Sequence, residues 1–99
     1  MARFDVYENP QGHGYLLDVQ ANLLDGLNTR VVVPLMLPSE APAPAERLNP
    51  KFNVGGINFI MVTQFLATLP RSELCDPAGS LEHHHIDITN ALDMLFQGF

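Results

Sequence analysis

The sequence predicts a mainly β domain of the α+β class, an antiparallel sheet with one C-terminal α-helix laid on it. Three observations predict it. Short runs rich in β-branched and aromatic residues recur between Gly- and Pro-containing turns. The pair Gly55–Gly56 separates two such runs, as in a tight hairpin. From about Glu82 onward the apolar spacing changes to that of a helix.

The elements follow in order. "RFDVYEN" alternates, with Phe4 and Val6 on one face and Asp5 and Tyr7 on the other, so it reads as a half-buried strand. "NPQGHG" supplies turn residues and "YLLDVQ" returns, giving a hairpin with a broad loop over residues 3–19. "NTRVVVPL" is β-branched and continuously apolar, which suits a central strand covered on both faces. Pro34 caps its ladder or forces a bulge. "PSEAPAPAERLNP", residues 38–50, holds four prolines in thirteen residues. Helix and central strand are both excluded there, leaving a surface loop or edge segment, in part polyproline-like. "FNVGGINFIMVTQ" is the Gly-Gly hairpin, and "FLATLP" is a further short strand or a turn that Pro70 ends. "RSELCDPAGS" is a connection. In the last segment Ile88, Ala91, Leu92 and Leu95 form one stripe at i, i+3, i+4 and i+7, with Asp87, Asn90, Asp93 and Gln97 opposite. Glu82 and Asp87 sit where a helix N-terminus favours acids.

Ninety-nine residues predict one domain, 1–99, able to hide roughly two-thirds of its unfolded surface. The chain is 46% hydrophobic and 16% charged, so it is globular, and the low charge predicts a surface partly covered by a partner or a second copy. Acids outnumber Lys and Arg by 11 to 5, for a net charge of −6. Arg3, Arg30, Arg47, Lys51 and Arg71 make no basic run, which disfavours direct nucleic-acid binding. A lone cysteine, Cys75, forms no internal disulfide, and a cytoplasmic location is expected. "MARFDVYENP" carries charges where a signal peptide needs an apolar stretch, and runs such as "VVVPLML" are too short to span a bilayer, so no membrane is expected as a partner.

Chemistry-bearing sets are thin. His83, His84 and His85 are consecutive; on a helix they point about 100° apart and do not share one metal. No metal and no cofactor is expected. Asp18, Asp25, Arg30 and Thr63 are titratable or polar groups that only the fold can bring together. Gly55–Gly56 lacks the spacing and the Lys of a phosphate loop. The chain is therefore expected not to be an enzyme. In "ANLLDGLN", adjacent Leu23 and Leu24 point to opposite sides of an extended chain. Either one faces a partner, or a local bulge takes both into the core. The same question hangs on the tip "NALDMLFQGF", where Gly98 reads as a helix stop and Phe99 is either a core plug or an exposed anchor.

"LLDVQANLLD", "RVVVPL", "VGGINFIMVTQFLATLP" and "NALDMLFQGF" together resemble the CcdB family, toxins of plasmid and chromosomal toxin–antitoxin modules. The likeness runs in order over essentially the whole chain. It implies an SH3-like antiparallel barrel shared with the MazF and Kid toxins, and a symmetric homodimer. It implies binding to the A subunit of DNA gyrase with trapping of its cleaved-DNA complex, and neutralisation by a cognate, CcdA-like antitoxin. The gyrase-facing residues of the family map to Leu23, Leu24, Asp93, Phe96, Gln97, Gly98 and Phe99, and the antitoxin-facing region to Tyr7, Asp18, His83 and Asp87. Gln97 stands where the family's typical toxin has Trp, and Asp93 where it has Asn. Two rival readings remain. One is a diverged relative that binds antitoxin without poisoning gyrase. The other is a MazF-like endoribonuclease on the same fold, which the net charge of −6 disfavours.

Overall fold

The computed structural model describes residues 1–99. Seven strands form: β1 Asp5–Glu8, β2 Tyr15–Asp18, β3 Thr29–Met36, β4 Lys51–Val54, β5 Ile57–Met61, β6 Ala67–Pro70 and β7 Gly79–Ser80; the helix α1 is His85–Gln97. Every pairing is antiparallel, in the order β4–β5–β3–β2–β1–β7, with β6 also on β3. The sheet curls into a nearly closed, SH3-like barrel carrying one C-terminal helix.

β3 is the hub. It pairs with β2 through residues 32–35, with β6 through 29–32 and with β5 through 35–36. Pro34 neither caps this ladder nor forces a bulge, since it pairs with Leu16 in unbroken register with β2. Its carbonyl accepts the Val62 N–H at 3.0 Å. Its nitrogen therefore faces the same side, where β3 passes from β6 to β5 between Val32 and Leu35. The missing N–H falls at a gap in the neighbouring ladder, where no donor is required.

The first strand departs from the half-buried expectation. Phe4 takes φ +76°, so the strand begins at Asp5. Val6 and Tyr7, on opposite faces, are both buried. Val6 joins the main core with Leu17, Val33, Met61 and Ile88, while Tyr7 packs with Leu16, Val32 and Leu74 on the other side. The connection after β6 supplies Leu74, a cover invisible in a local pattern.

The other elements form for local reasons. The hairpin β4–β5 closes at Gly55–Gly56 with Val54 opposite Ile57, both glycines having positive φ, as such a two-residue turn requires. Residues 67–70 are a strand, preceded by a 3-10 turn over Thr63–Phe65. The Pro-rich segment is a loop, held by buried Asn49, whose Nδ2 donates to the Met61 carbonyl at 3.0 Å. On α1, Ile88, Ala91 and Leu92 are buried, and Leu95 is half-buried. Glu82–His84 form a 3-10 turn, so the helix proper starts at His85, later than its acidic approach predicts. Gly98, at φ +79°, ends it by donating to the Met94 carbonyl at 3.1 Å. No helix is long and apolar enough to cross a membrane.

Candidate partner-binding site

Between β2 and β3 the chain makes an excursion, residues 21–28, in which no side chain is buried. A 3-10 turn over Asn22–Leu24 opens it. Leu23 is 94% exposed, Leu24 47% and Leu27 48%. Neither Leu23 nor Leu24 is core. Beside them lies the tip of α1, where Phe96 and Phe99 are 69% and 70% exposed. Leu24, Leu27, Val31, Leu66, Leu92 and Phe96 line one apolar groove of about 560 Å³. Leu24 and Phe96 share that groove, although 72 residues separate them in sequence. Gln97 is exposed and donates to Asp93 at 3.4 Å along the helix; Gly98 is exposed beside it. Contiguous apolar surface of this kind marks contact with another molecule.

The residues mapped to an antitoxin divide. His83 and Asp87 are exposed. Tyr7 and Asp18 lie inside the protein, fully buried, so neither side chain offers a surface contact. β1 and β2 are both covered on two faces, which is why the mapping onto their hairpin fails for these two. The histidines do not all lie on a helix: His83 and His84 stack at 4.1 Å between ring centroids, His84 rests on Phe52 at 5.0 Å, and only His85 is in α1.

A second constellation is buried beneath the loop. Arg30 Nε donates to Asp18 Oδ2 at 2.8 Å, and Nη2 lies 2.6 Å from the same oxygen without hydrogen-bond alignment. Arg30 Nη1 donates to Asp25 Oδ1 at 3.0 Å. The fold thus unites Asp18, Arg30 and Asp25. Thr63 is occupied elsewhere, its hydroxyl donating to the Leu48 carbonyl. Asp25 has half its side chain exposed and is the member that solvent reaches. Burial pushes the Asp18 carboxyl above its ordinary range, against the opposing pull of the Gln20 N–H and Arg30.

Burial, with the nearby charges of Asp5 and Asp18, likewise pushes the Tyr7 phenol up to about 12. Its hydroxyl makes no well-aligned hydrogen bond, the Asp5 carboxylate being the acceptor close by. Unfolded Tyr7 ionises near 10 and folded Tyr7 only near 12, so the folded state holds its proton longer. Stability from this group is intact below pH 10 and falls as pH rises towards 12. Tyr7→Phe is expected to leave stability at neutral pH within about 1 kcal/mol of the parent, because no well-aligned bond is lost. It should also flatten the alkaline decline by on the order of 1–2 kcal/mol, read by urea unfolding at several pH values.

A family model described as CcdB protein matches residues 3–98. The chain belongs to the CcdB family. That places it among the toxins of toxin–antitoxin modules. Solved structures are similar as well. A mycobacterial endoribonuclease in complex with its cognate antitoxin aligns with TM-score 0.77 and 19% identity, covering 97% of this chain and 94% of that one. A mycobacterial endoribonuclease structure aligns with TM-score 0.79 and 18% identity, covering 97% and 90%. At such identity the likeness is one of fold. It nevertheless corrects one expectation. The sequence predicts that the chain is not an enzyme, yet proteins described as endoribonucleases are built on this same CcdB-like barrel. The expectation that no nucleic acid is contacted rests on net charge alone and draws no support from this fold, which proteins described as endoribonucleases share. Summed charge does not decide the matter, because a substrate meets the local field of a site rather than the total.

Proposed function

We propose that this chain is the toxin of a type II toxin–antitoxin module, one toxin domain over residues 1–99, and that it works as a symmetric homodimer in the cytoplasm. Its target is the A subunit of DNA gyrase, whose cleaved-DNA complex it traps, and a cognate CcdA-like antitoxin releases it. The observation that carries the target is the groove that Leu24 and Phe96 share, with Leu23 exposed in the same loop and Phe99 at the same helix tip. Aromatic anchors beside an apolar groove are what concentrated binding energy requires. His83, in the turn before the helix, and Asp87, in its first turn, leave antitoxin a separate approach.

A second reading, RNA cleavage, is favoured by the shared fold with the two endoribonucleases and by the Asp18–Arg30–Asp25 cluster. General acid–base work needs titratable groups held together, and Asp25 is open to solvent. One experiment separates the readings. Purified protein is incubated with gyrase and supercoiled plasmid, then treated with detergent and protease, and in parallel with RNA. Linear DNA dependent on gyrase is expected. RNA cuts abolished by Asp25→Asn, with no linear DNA, would replace the first reading by the second. Neither product would leave the diverged relative that binds antitoxin alone.

A further inference from the structure

The 21–28 loop raises a physical question. It presents three leucines to solvent, belongs to no strand and buries no side chain, yet it has a defined shape. Three internal bonds shape it: Leu24 N–H to Ala21 O at 2.9 Å, Asp25 N–H to Asn22 O at 3.1 Å, and Leu27 N–H to Leu24 O at 3.1 Å. Short turns of this kind do not order an isolated segment, since fixing each residue opposes chain entropy. The remaining order comes from outside. Gln20 Nε2 donates to the Leu24 carbonyl at 3.0 Å, and Arg30 holds the Asp25 carboxylate. The largest reach is that of Arg71, which directly follows β6. Its backbone N–H donates to the Asn28 carbonyl at 2.9 Å, extending the β3–β6 ladder by one bond. Its Nη1 donates to the Asp25 carbonyl at 2.8 Å and more weakly to the Leu27 carbonyl at 3.4 Å. Those two carbonyls belong to the turn closed by the Leu27 N–H on the Leu24 carbonyl, directly after Leu23 and Leu24.

We infer that Arg71 is a positioning residue: from outside the 21–28 loop it latches that loop in the shape in which Leu23 and Leu24 meet a protein partner. The inference rests on the reading of the loop as a contact surface for gyrase A. Arg71 differs from Arg30 in being half-exposed and in holding main chain instead of a buried carboxylate. Its removal therefore frees the loop without leaving an unpaired charge in the interior. A loop that visits its bound shape a tenth of the time lowers apparent affinity about tenfold, even when every contact residue is intact.

Amide hydrogen exchange on Arg71→Ala tests the latch directly. The amides of Leu24, Asp25 and Leu27 are expected to exchange at least about fivefold faster, with a melting temperature within about 3 °C of the parent. Arg71→Lys keeps the charge and one donor and should recover part of the protection. Binding to purified gyrase A subunit should weaken about tenfold in Arg71→Ala. In a Leu23→Ala, Leu24→Ala background the same substitution should change affinity by less than about twofold, because its effect passes through those leucines. Unchanged exchange in the loop, or an equal affinity loss in both backgrounds, would overturn the inference. If the parent protein does not bind gyrase A, the proposed target fails, and loop exchange alone decides the latch.

Discussion

Replacing Arg30 by alanine is expected to bring the protein close to unfolding, at a loss of about 3–5 kcal/mol. A domain of this size has about 5–15 kcal/mol in all. Arg30 and Asp18 are both fully buried, so the alanine variant leaves a carboxylate in the interior with the Gln20 N–H as its remaining close partner. Asp25 loses its tie to the interior at the same time. The damage should depend on pH in a defined direction. Burial already raises folded Asp18 above its ordinary 3.8, so the folded state binds that proton more readily than the unfolded chain. Stability then falls as pH rises through the window above 3.8. Without Arg30 the window extends upward, and the variant should regain stability on acidification. The double variant Arg30→Met, Asp18→Leu should recover most of the loss, since an apolar pair of similar volume often replaces a buried ion pair without penalty. Urea midpoints at constant slope measure all three. A single variant within 1 kcal/mol of the parent would mean that water reaches the pair and screens it, as at a surface.

What the sequence made legible is what local chemistry decides. Gly55–Gly56 forces its hairpin whatever surrounds it, and the stripe Ile88, Ala91, Leu92 carries its helix because one face alone can be buried. Tyr7 reads as the outer face of a strand because its cover, Leu74, arrives from a distant connection. Nothing in "YLLDVQ" marks Asp18 as buried, and only the register of β2 on β3, placing it opposite Val32, brings it beside Arg30. The meeting of Asp18, Asp25 and Arg30 therefore depended on strand pairing, which spacing does not encode. His83 and His84 fell outside the helix by one short turn, the scale on which helix ends are uncertain from pattern. At the other end the leucine pair and the aromatic tip stood out as apolar residues lacking an obvious cover. Their common groove was not legible, because it is made by Val31 and Leu66 from elements between them in the chain.

Gln97→Trp is expected to tighten binding to the gyrase A subunit by more than tenfold while leaving the fold unchanged. Gln97 is exposed, and its one side-chain bond is a long 3.4 Å contact to Asp93. A larger side chain there meets solvent, so the overpacking penalty of about 1–3 kcal/mol for a crowded core does not arise. The tip already supplies apolar area in Phe96 and Phe99, and Gly98 adds no side chain between them and a partner. What it lacks is a flat ring able to stack on a cation, the feature carried by Trp at this position in the family's typical toxin. A Trp anchor of this kind is often worth about 2 kcal/mol or more, and about 1.4 kcal/mol is a factor of ten. Titration calorimetry against gyrase A measures the gain, a thermal melt checks the fold, and light scattering checks that the mass in solution is unchanged. Asp93 offers an internal control: Asp93→Asn removes a charge from the same surface and should add to the gain if gyrase presents an acidic face, or subtract if it presents a basic one. A lowered melting temperature with no gain in affinity would mean that the tip packs against protein in solution. The target would then have to be sought on another face.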